Sequence, residues 1–242
     1  MRQKPISAPL RYLAGPVFMC FLIITMAAPS APAAADWISY VDPSLISGIV
    51  LHNGELYIAS SGGLVVYDPE SSSFEQFDNT VGLPSNFLTC LTFDAVGNLY
   101  VGTEDSGIAR LKFTAGSLDV VPLSSTFHGL SDDRITSLAA WGDSVVYGTK
   151  KGAGLIIDGF PGARYLAREG LPSEVVTDVL SDGDRVWMAT DSGLVYLDRF
   201  GFLTEVSQGL PDLNTKALAR TDTAVWVGTG TGVAYLARGS EE

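Results

Sequence analysis

The sequence predicts an all-β protein, and three observations carry that prediction. Two short motifs recur with a period near forty residues. The segments between them are short runs of Val, Ile, Leu, Tyr and Trp bounded by Gly, Pro, Asp and Ser, as strands are. No sustained 3.6-residue hydrophobic period follows residue 35. Four antiparallel strands in a repeat of about forty residues are typical of a β-propeller blade, and we expect five such blades.

Residues 1–35 have the composition of a secretory signal peptide. They contain no acidic residue, begin with three basic residues, run apolar over 12–28 and close on small residues up to Ala35. Cleavage after Ala35 is expected. An uncleaved membrane anchor is disfavoured because the apolar run is shorter than about 20 residues and contains Pro16. We therefore expect an exported protein, periplasmic or at the cell surface, with a propeller domain at 36–242 and no membrane span after cleavage.

Charge and composition exclude several classes of partner. The formal net charge is −12, and loss of three basic residues with the signal peptide makes it −15. Such a chain repels the phosphates of nucleic acids, so no nucleic-acid partner is expected. Cys90 would be the only cysteine left, which precludes an internal disulfide. His52 and His128 show no paired ligand spacing, so we expect neither a metal nor a cofactor.

The repeat unit is defined by a Gly-Leu motif and an apolar motif that ends in Thr or Ser. The Gly-Leu motif begins at Gly82, Gly129, Gly170 and Gly209, with spacings of 47, 41 and 39 residues. The second motif begins at Leu56, Leu99, Val145, Val186 and Val225. A glycine and an apolar residue follow each copy, at Gly63, Gly107, Gly154, Gly193 and Gly232. The chain therefore contains five units.

In the third unit we predict strands at 136–140, 144–149, 154–157 and 164–167. The last unit provides three strands, and the segment 37–40 resembles fourth-strand segments elsewhere. We therefore expect this N-terminal strand to complete the last blade, which would close a five-bladed ring and protect exposed strand edges. A fragment of a larger ring and an assembly of two chains remain as alternatives.

The combination of Gly82-Leu83-Pro84-Ser85, a Thr shortly before an apolar pair, and Leu99-Tyr100-Val101-Gly102-Thr103 resembles the two-component regulator propeller repeat. That family includes periplasmic sensor propellers of bacterial hybrid two-component systems and related cell-surface and secretion-associated propellers. The resemblance implies a propeller fold and, in the sensors, detection of glycans or their fragments. This sequence shows no second propeller, kinase or DNA-binding region, so we do not expect it to signal alone.

In propellers, the loops that enter each blade and the loops between its second and third strands emerge on one face, which is the usual binding surface. We predict ligand contacts from eight polar residues in these loops: Asn86, Glu104, Asp105, Arg134, Lys151, Glu174, Asp191 and Asn214. Convergent polar groups of this kind could bind a sugar or a basic peptide. The alternative is that they are solvated turn residues, since Asp, Asn and Ser favour turns.

Residue types that recur in most blades are interpreted as structural. We expect the hydroxyls of two threonine series to bond the backbone of a neighbouring blade: Thr89, Thr136, Thr177 and Thr215, and Thr103, Thr149, Thr190 and Thr229. We expect one aromatic column to pack between blades: Tyr57, Tyr100, Trp187 and Trp226.

These patterns favour an exported, non-catalytic recognition module that binds a glycan, a peptide or an envelope protein, and no catalytic residue is predicted. One alternative is a glycoside hydrolase or lyase, which would use converging carboxylates from Glu104, Asp105, Glu174 and Asp191. Another is a scaffold subunit of a secretion or cell-surface assembly.

Overall fold

The structure is a computed structural model, and it describes residues 45–114, 117–206 and 208–237. All of them belong to the compact unit Val41–Glu242. The predicted signal peptide, and the segment 37–40 expected to complete the last blade, lie outside the described residues. Within the described residues, no helix has the length and apolar character that a membrane span requires.

All strands of the described residues belong to five antiparallel sheets, and in each sheet the strands neighbour one another in chain order. The first sheet contains β1 (Ile46–His52), β2 (Glu55–Ser60), β3 (Gly63–Asp68) and β4 (Ser73–Phe77). The second contains β5 (Leu88–Phe93), β6 (Leu99–Thr103), β7 (Ile108–Thr114) and β8 (Ser117–Leu123). The third contains β9 (Ile135–Trp141), β10 (Ser144–Thr149), β11 (Gly152–Ile157) and β12 (Phe160–Tyr165).

The fourth sheet contains β13 (Val176–Ser181), β14 (Val186–Thr190), β15 (Gly193–Leu197) and β16 (Leu203–Val206). The fifth contains β17 (Thr215–Arg220), β18 (Ala224–Thr229) and β19 (Val233–Ala237). The first strands of successive sheets pack together in the order β1, β5, β9, β13, β17, and they are the innermost strands. The predicted all-β, five-bladed architecture is confirmed.

Three short helical turns explain the Gly-Leu motif. They are the 3-10 turns Asn79–Val81 and Ala167–Glu169 and the helix α1, Ser125–His128. Each ends on the glycine of the motif, which adopts the left-handed conformation, with φ of 103° at Gly82. Glycine adopts such angles without steric cost, and the leucine that follows is buried between blades.

The outermost strand of the third blade differs from the prediction. β12 spans Phe160–Tyr165, whereas the sequence suggested 164–167. The connection is shorter than expected because Asp158 and Gly159 both have positive φ and turn the chain within two residues. Pro161 then pairs opposite Ile156, on an edge strand where proline is tolerated.

The core lies between blades. Tyr57 and Leu64 of the first blade pack in one cluster with Leu88 and Leu91 of the second blade. Equivalent clusters join the second blade to the third, the third to the fourth and the fourth to the fifth. The predicted packing role of the aromatic column is confirmed for Tyr57, Tyr100 and Trp187, which are buried, whereas Trp226 in the last blade is partly exposed.

Each innermost strand carries a β-bulge at the same place. In β13 the pairing with β14 shifts between Val176 and Asp178, which leaves Thr177 as the extra residue. The equivalent extra residues in chain order are Ser47, Thr89, Thr136, Thr177 and Lys216. The sequence alignment of Thr215 with this series is therefore wrong, because Thr215 pairs with Thr229 as Val176 pairs with Thr190.

Candidate functional site

The two predicted loop sets do lie together on one face. Where the second strand of a blade turns into the third, a glycine N–H donates to a carbonyl in the entry loop of the next blade. These bonds are Gly63 to Asn86 at 2.8 Å, Gly107 to Asp133 at 2.8 Å and Gly152 to Glu174 at 2.7 Å. They hold the loop face in a fixed arrangement.

A pocket of about 340 Å³ opens on this face where the second, third and fourth blades meet. Its lining residues are Thr89, Glu104, Arg134, Ile135, Thr136, Lys150, Val175, Val176 and Thr177. Small-molecule sites usually begin at about 300 Å³. The pocket is therefore large enough for one small ligand or for one end of a longer one.

Three bulge residues form one wall of the pocket. The Thr136 hydroxyl donates to the Val176 carbonyl at 2.7 Å, and the Thr177 hydroxyl donates to the Thr215 carbonyl at 2.9 Å. The predicted hydroxyl bonds to a neighbouring blade are confirmed at these two positions. They are also confirmed at Thr215, outside the pocket, whose hydroxyl donates to the Thr190 carbonyl of the fourth blade at 2.8 Å. The Thr89 hydroxyl instead lies 3.5 Å from Cys90 Sγ. A hydroxyl that donates its only proton still accepts hydrogen bonds, so this wall offers acceptor oxygens.

Charged side chains form the rim. Arg134 makes an ion pair with Glu104, and both side chains are about half exposed, while Lys150 lines the same pocket. Two cations and one carboxylate therefore line a pocket in a chain whose net charge is −12. The rim favours a ligand that carries negative charge.

The second threonine series has a different role from the predicted one. These hydroxyls donate within their own blade, to the glycine that opens the third strand: Thr103 to Gly107 at 2.8 Å, Thr149 to Gly152 at 2.7 Å, Thr190 to Gly193 at 2.7 Å and Thr229 to Gly232 at 2.9 Å. They also accept a backbone N–H from the intervening turn. These threonines close the turns that carry Glu104 and Lys150.

Of the eight predicted site residues, Glu104 and Arg134 line the pocket. Three others are engaged in local pairs outside it. Lys151 Nζ lies 3.0 Å from Asp132 Oδ1, and Asp105 and Asp191 accept hydrogen bonds from the adjacent Ser106 and Ser192 hydroxyls.

The remaining three lie in blade-entry loops. The side-chain oxygen of Asn86 accepts the Asn79 N–H at 2.7 Å, and Glu174 is exposed. The Asn214 carbonyl accepts the Gly230 N–H at 2.9 Å, and its enclosed Oδ1 has no hydrogen-bond partner among the described residues. The prediction that Asn86, Glu174 and Asn214 contact a ligand stays a prediction.

Sequence reasoning did not assign Thr89, Thr136 and Thr177 to the site, because repetition in several blades argued for a purely structural role. Each lies seven residues after the glycine of its Gly-Leu motif, and the same count leads to Lys216 in the last blade. That spacing marks the bulge, and a bulge redirects one side chain out of the sheet pairing.

Cys90 lies beside this wall as a free thiol. Burial raises the pKa of the Cys90 thiol to about 12, and the neighbouring Asp178 carboxylate acts in the same direction. The thiol is therefore protonated near neutral pH, and it lacks the thiolate character that a nucleophile needs.

The acidic turn around Asp182 is held by local hydrogen bonds. Its Oδ1 accepts the backbone N–H groups of Asp184 and Arg185, and its Oδ2 accepts the Trp187 indole N–H at 2.8 Å. Across the three described ranges, no group of three or more potential metal ligands is close enough to hold an ion.

Comparison with known proteins supports the fold. Residues 82–105 match the two component regulator propeller model, and comparison with curated protein sequences gives no match. Three of the similar solved structures illustrate this fold. The extracellular domain of a hybrid two component system from B. thetaiotaomicron has a TM-score of 0.64 at 20% identity, over 80% of this chain and 27% of that one.

PorZ, a surface component of the type-IX secretion system of Porphyromonas gingivalis, has a TM-score of 0.62 at 18% identity, over 81% of this chain and 33% of that one. Virginiamycin B lyase from Staphylococcus aureus has a TM-score of 0.59 at 12% identity, over 82% of this chain and 71% of that one. This chain thus spans a third or less of the length of the sensor domain and of PorZ. One repeat of this chain, residues 82–105, thus matches the two component regulator propeller model, and the five sheets are those of a propeller fold.

Proposed function

We propose that the chain is an exported recognition module whose pocket binds a small acidic sugar or the end of an acidic oligosaccharide. The observation that carries this proposal is the combination of two cations, one carboxylate and three threonine hydroxyls around one pocket. The predicted signal peptide supports export. The solved extracellular domain of similar fold is in keeping with export.

The pocket chemistry matches such a ligand group by group. A sugar hydroxyl can donate to the Thr136 and Thr177 oxygens, whose own protons are used within the protein. A sugar carboxylate can pair with Arg134 and Lys150, and Arg binds carboxylates through two parallel hydrogen bonds. Val175, which is partly exposed, provides an apolar surface for the C–H face of the ring.

The same lining favours binding over hydrolysis. Both main classes of glycoside hydrolase need two carboxyl groups flanking the scissile bond. Among the described residues that line the pocket, Glu104 is the one acidic side chain, and it is paired with Arg134. Asp105, Glu174 and Asp191 are not among the lining residues.

Isothermal titration calorimetry on protein produced with its signal peptide and purified after export would test the proposal. The titrants are trigalacturonate and its neutral counterpart, galactotriose. We expect the acidic trisaccharide to bind more tightly, and Arg134→Ala to weaken its binding roughly tenfold or more, since a charge-assisted pair contributes about 1.5–3 kcal/mol. Glu104→Gln should strengthen binding, because it removes a repulsive charge and releases Arg134.

Arg199→Ala is the matched control, because Arg199 forms an exposed pair with Asp184 at 3.2 Å and does not line the pocket. It should leave the affinity unchanged. Equal affinity for the two trisaccharides, no binding of either, or Glu104→Gln and Arg134→Ala acting in the same direction would reject the proposal.

A further inference from the structure

The interface between blades has two unlike faces. The forward face of a blade comes from its second and third strands. In chain order it carries the columns Tyr57, Tyr100, Val146, Trp187 and Trp226, and Leu64, Ile108, Ala153, Leu194 and Val233. It packs on the back face of the next blade, from the innermost strand, which carries Ile46, Leu88, Ile135, Val176 and Thr215, and Ile49, Leu91, Leu138, Val179 and Leu218.

The back face is exposed in the first blade. Ile46 is 57% exposed, whereas its equivalents Leu88, Ile135 and Val176 are at most 4% exposed. Ile49 is 56% exposed, whereas its equivalent Leu91 is 7% exposed. The difference arises because each later back face is covered by the forward face of the blade before it.

The forward face is exposed in the fifth blade. Val233 is 66% exposed, whereas the equivalent residues of the four preceding blades are at most 1% exposed. Trp226 is 39% exposed against 1% for Trp187, and Tyr235 beside it on β19 is 65% exposed. The two ends therefore present the two unlike halves of an interface that the chain already forms four times.

We propose that the forward face of the fifth blade binds the back face of the first blade of a second copy of this chain. Every copy carries one forward face and one back face, so the contact is heterologous. In a dimer, each copy can place its forward face on the back face of the other, and both faces of both copies are then covered. Within one chain both faces are exposed at the same time, so they do not cover each other.

Charge is compatible with the contact. The chain is strongly acidic as a whole, so two copies repel one another at long range. The residues named on the two faces are all uncharged, so the contact between these residues buries no carboxylate. Association should therefore strengthen with added salt, which screens the repulsion and leaves the apolar contact intact.

The experiment uses one variant on each face of the full chain, Ile49→Asp on the back face and Val233→Asp on the forward face. Light scattering coupled to size-exclusion chromatography measures the mass. We expect the wild type to self-associate and each variant alone to be monomeric, because every contact needs one face of each kind. Mixing equal amounts of the two variants should restore a dimer, since each retains the face that the other has lost.

Phe160→Asp is the control, because Phe160 is 72% exposed on the outer strand β12 and should not affect the mass. Circular dichroism checks that the variants keep the fold. Dimers or longer assemblies that both variants abolish and their mixture restores support the proposal. A monomeric wild type, variants that still associate, or a mixture that stays monomeric would overturn it, whatever the pocket binds.

Discussion

The Ser137 hydroxyl donates to Asp178 Oδ1 at 2.7 Å and so joins the innermost strand of the third blade to that of the fourth. The same Oδ1 accepts the Val179 N–H at 2.8 Å, and Oδ2 accepts the Leu218 N–H of the fifth blade at 2.7 Å. One carboxylate thus links three blades next to the pocket. Both of its oxygens accept hydrogen bonds within the protein, so its role is to hold the blades together.

Replacing Asp178 should destabilise the propeller. Asp178→Ala removes the acceptor of both the Ser137 hydroxyl and the Leu218 N–H, and leaving such donors unpaired costs about 1–3 kcal/mol. Urea denaturation measures the loss in the free energy of unfolding. Asp178→Asn should lose less because it keeps one acceptor oxygen, and the exposed Asp191→Ala should lose almost nothing. An equal loss in all three variants would contradict this role.

Removing the Thr149 hydroxyl should loosen the turn that carries Lys150. Thr149 is fully buried, donates to the Gly152 carbonyl at 2.7 Å and accepts the Lys151 N–H at 3.0 Å. Thr149→Val keeps the shape and loses both bonds, so we expect a loss of about 1–3 kcal/mol in the free energy of unfolding.

Thr149→Ser should recover most of that stability, because it restores the hydroxyl. Thr204→Val on the exposed side of β16 serves as the control. Thermal unfolding monitored by circular dichroism ranks the three variants. If the serine and valine variants melt together, the hydroxyl does not stabilise the turn.

A methyl group at Gly102 should disrupt the contact between the second and third blades. A Cβ built there would lie 2.6 Å from Cys90 Sγ and 2.7 Å from Ile135 Cγ2. Overpacking of this kind costs about 1–3 kcal/mol, so Gly102→Ala should be less stable by that amount in urea denaturation. Gly48→Ala is the control, because its Cβ would come no closer than 3.7 Å to the nearest atom. Equal stability of the two variants would show that the blades can move apart.

The Cys90 thiol should make stability fall at alkaline pH. Its pKa is raised to about 12 in the folded protein, against about 8.5 in an unfolded chain. Below pH about 8.5 the thiol is protonated in both the folded and the unfolded state, so its full contribution to the free energy of unfolding is present. Above that pH the unfolded state alone loses the proton, so stability declines by up to about 1.4 kcal/mol per pH unit until the folded thiol ionises.

Cys90→Ser should remove this part of the slope, and serine occupies the equivalent position at Ser137. The measurement is the free energy of unfolding of both proteins at about pH 8 and about pH 10. Tyr100, Tyr147 and Tyr165, whose pKa values burial also raises, contribute alike to both proteins. Parallel slopes in the two proteins would contradict the assignment to Cys90.

The fold could be predicted because the repeat is encoded locally. A glycine with positive φ, a buried leucine and a threonine that closes a turn recur in most units, and each has a short-range physical reason. The boundary of β12 could not be predicted, because a two-residue turn at Asp158 and Gly159 looks in sequence like a longer loop. The sequence did not show that Lys216, rather than Thr215, is the extra residue of the last bulge. A bulge shifts the register by one residue, and no particular residue type marks it.

The site could be predicted only in part. Glu104 and Arg134 were identified because they lie in the loops that propellers place on one face. Asp105 and Lys151 sit in the same turns but are engaged in local pairs, which depends on side-chain direction rather than on loop position. The pocket wall was missed because the same threonines serve both the blade interface and the pocket.

The recurring bulge separates the pairing of the strands from the choice of the side chain that the innermost strand presents. The residues on either side of it pair in the sheet and hold the blades together, whereas the extra residue is released from that pairing. It is Ser47 in the first blade, threonine in the next three and Lys216 in the last, with the same ladder around it. A substitution at any of these five positions therefore changes the side chain that an innermost strand presents, while the backbone pairing of the ladder on either side stays intact.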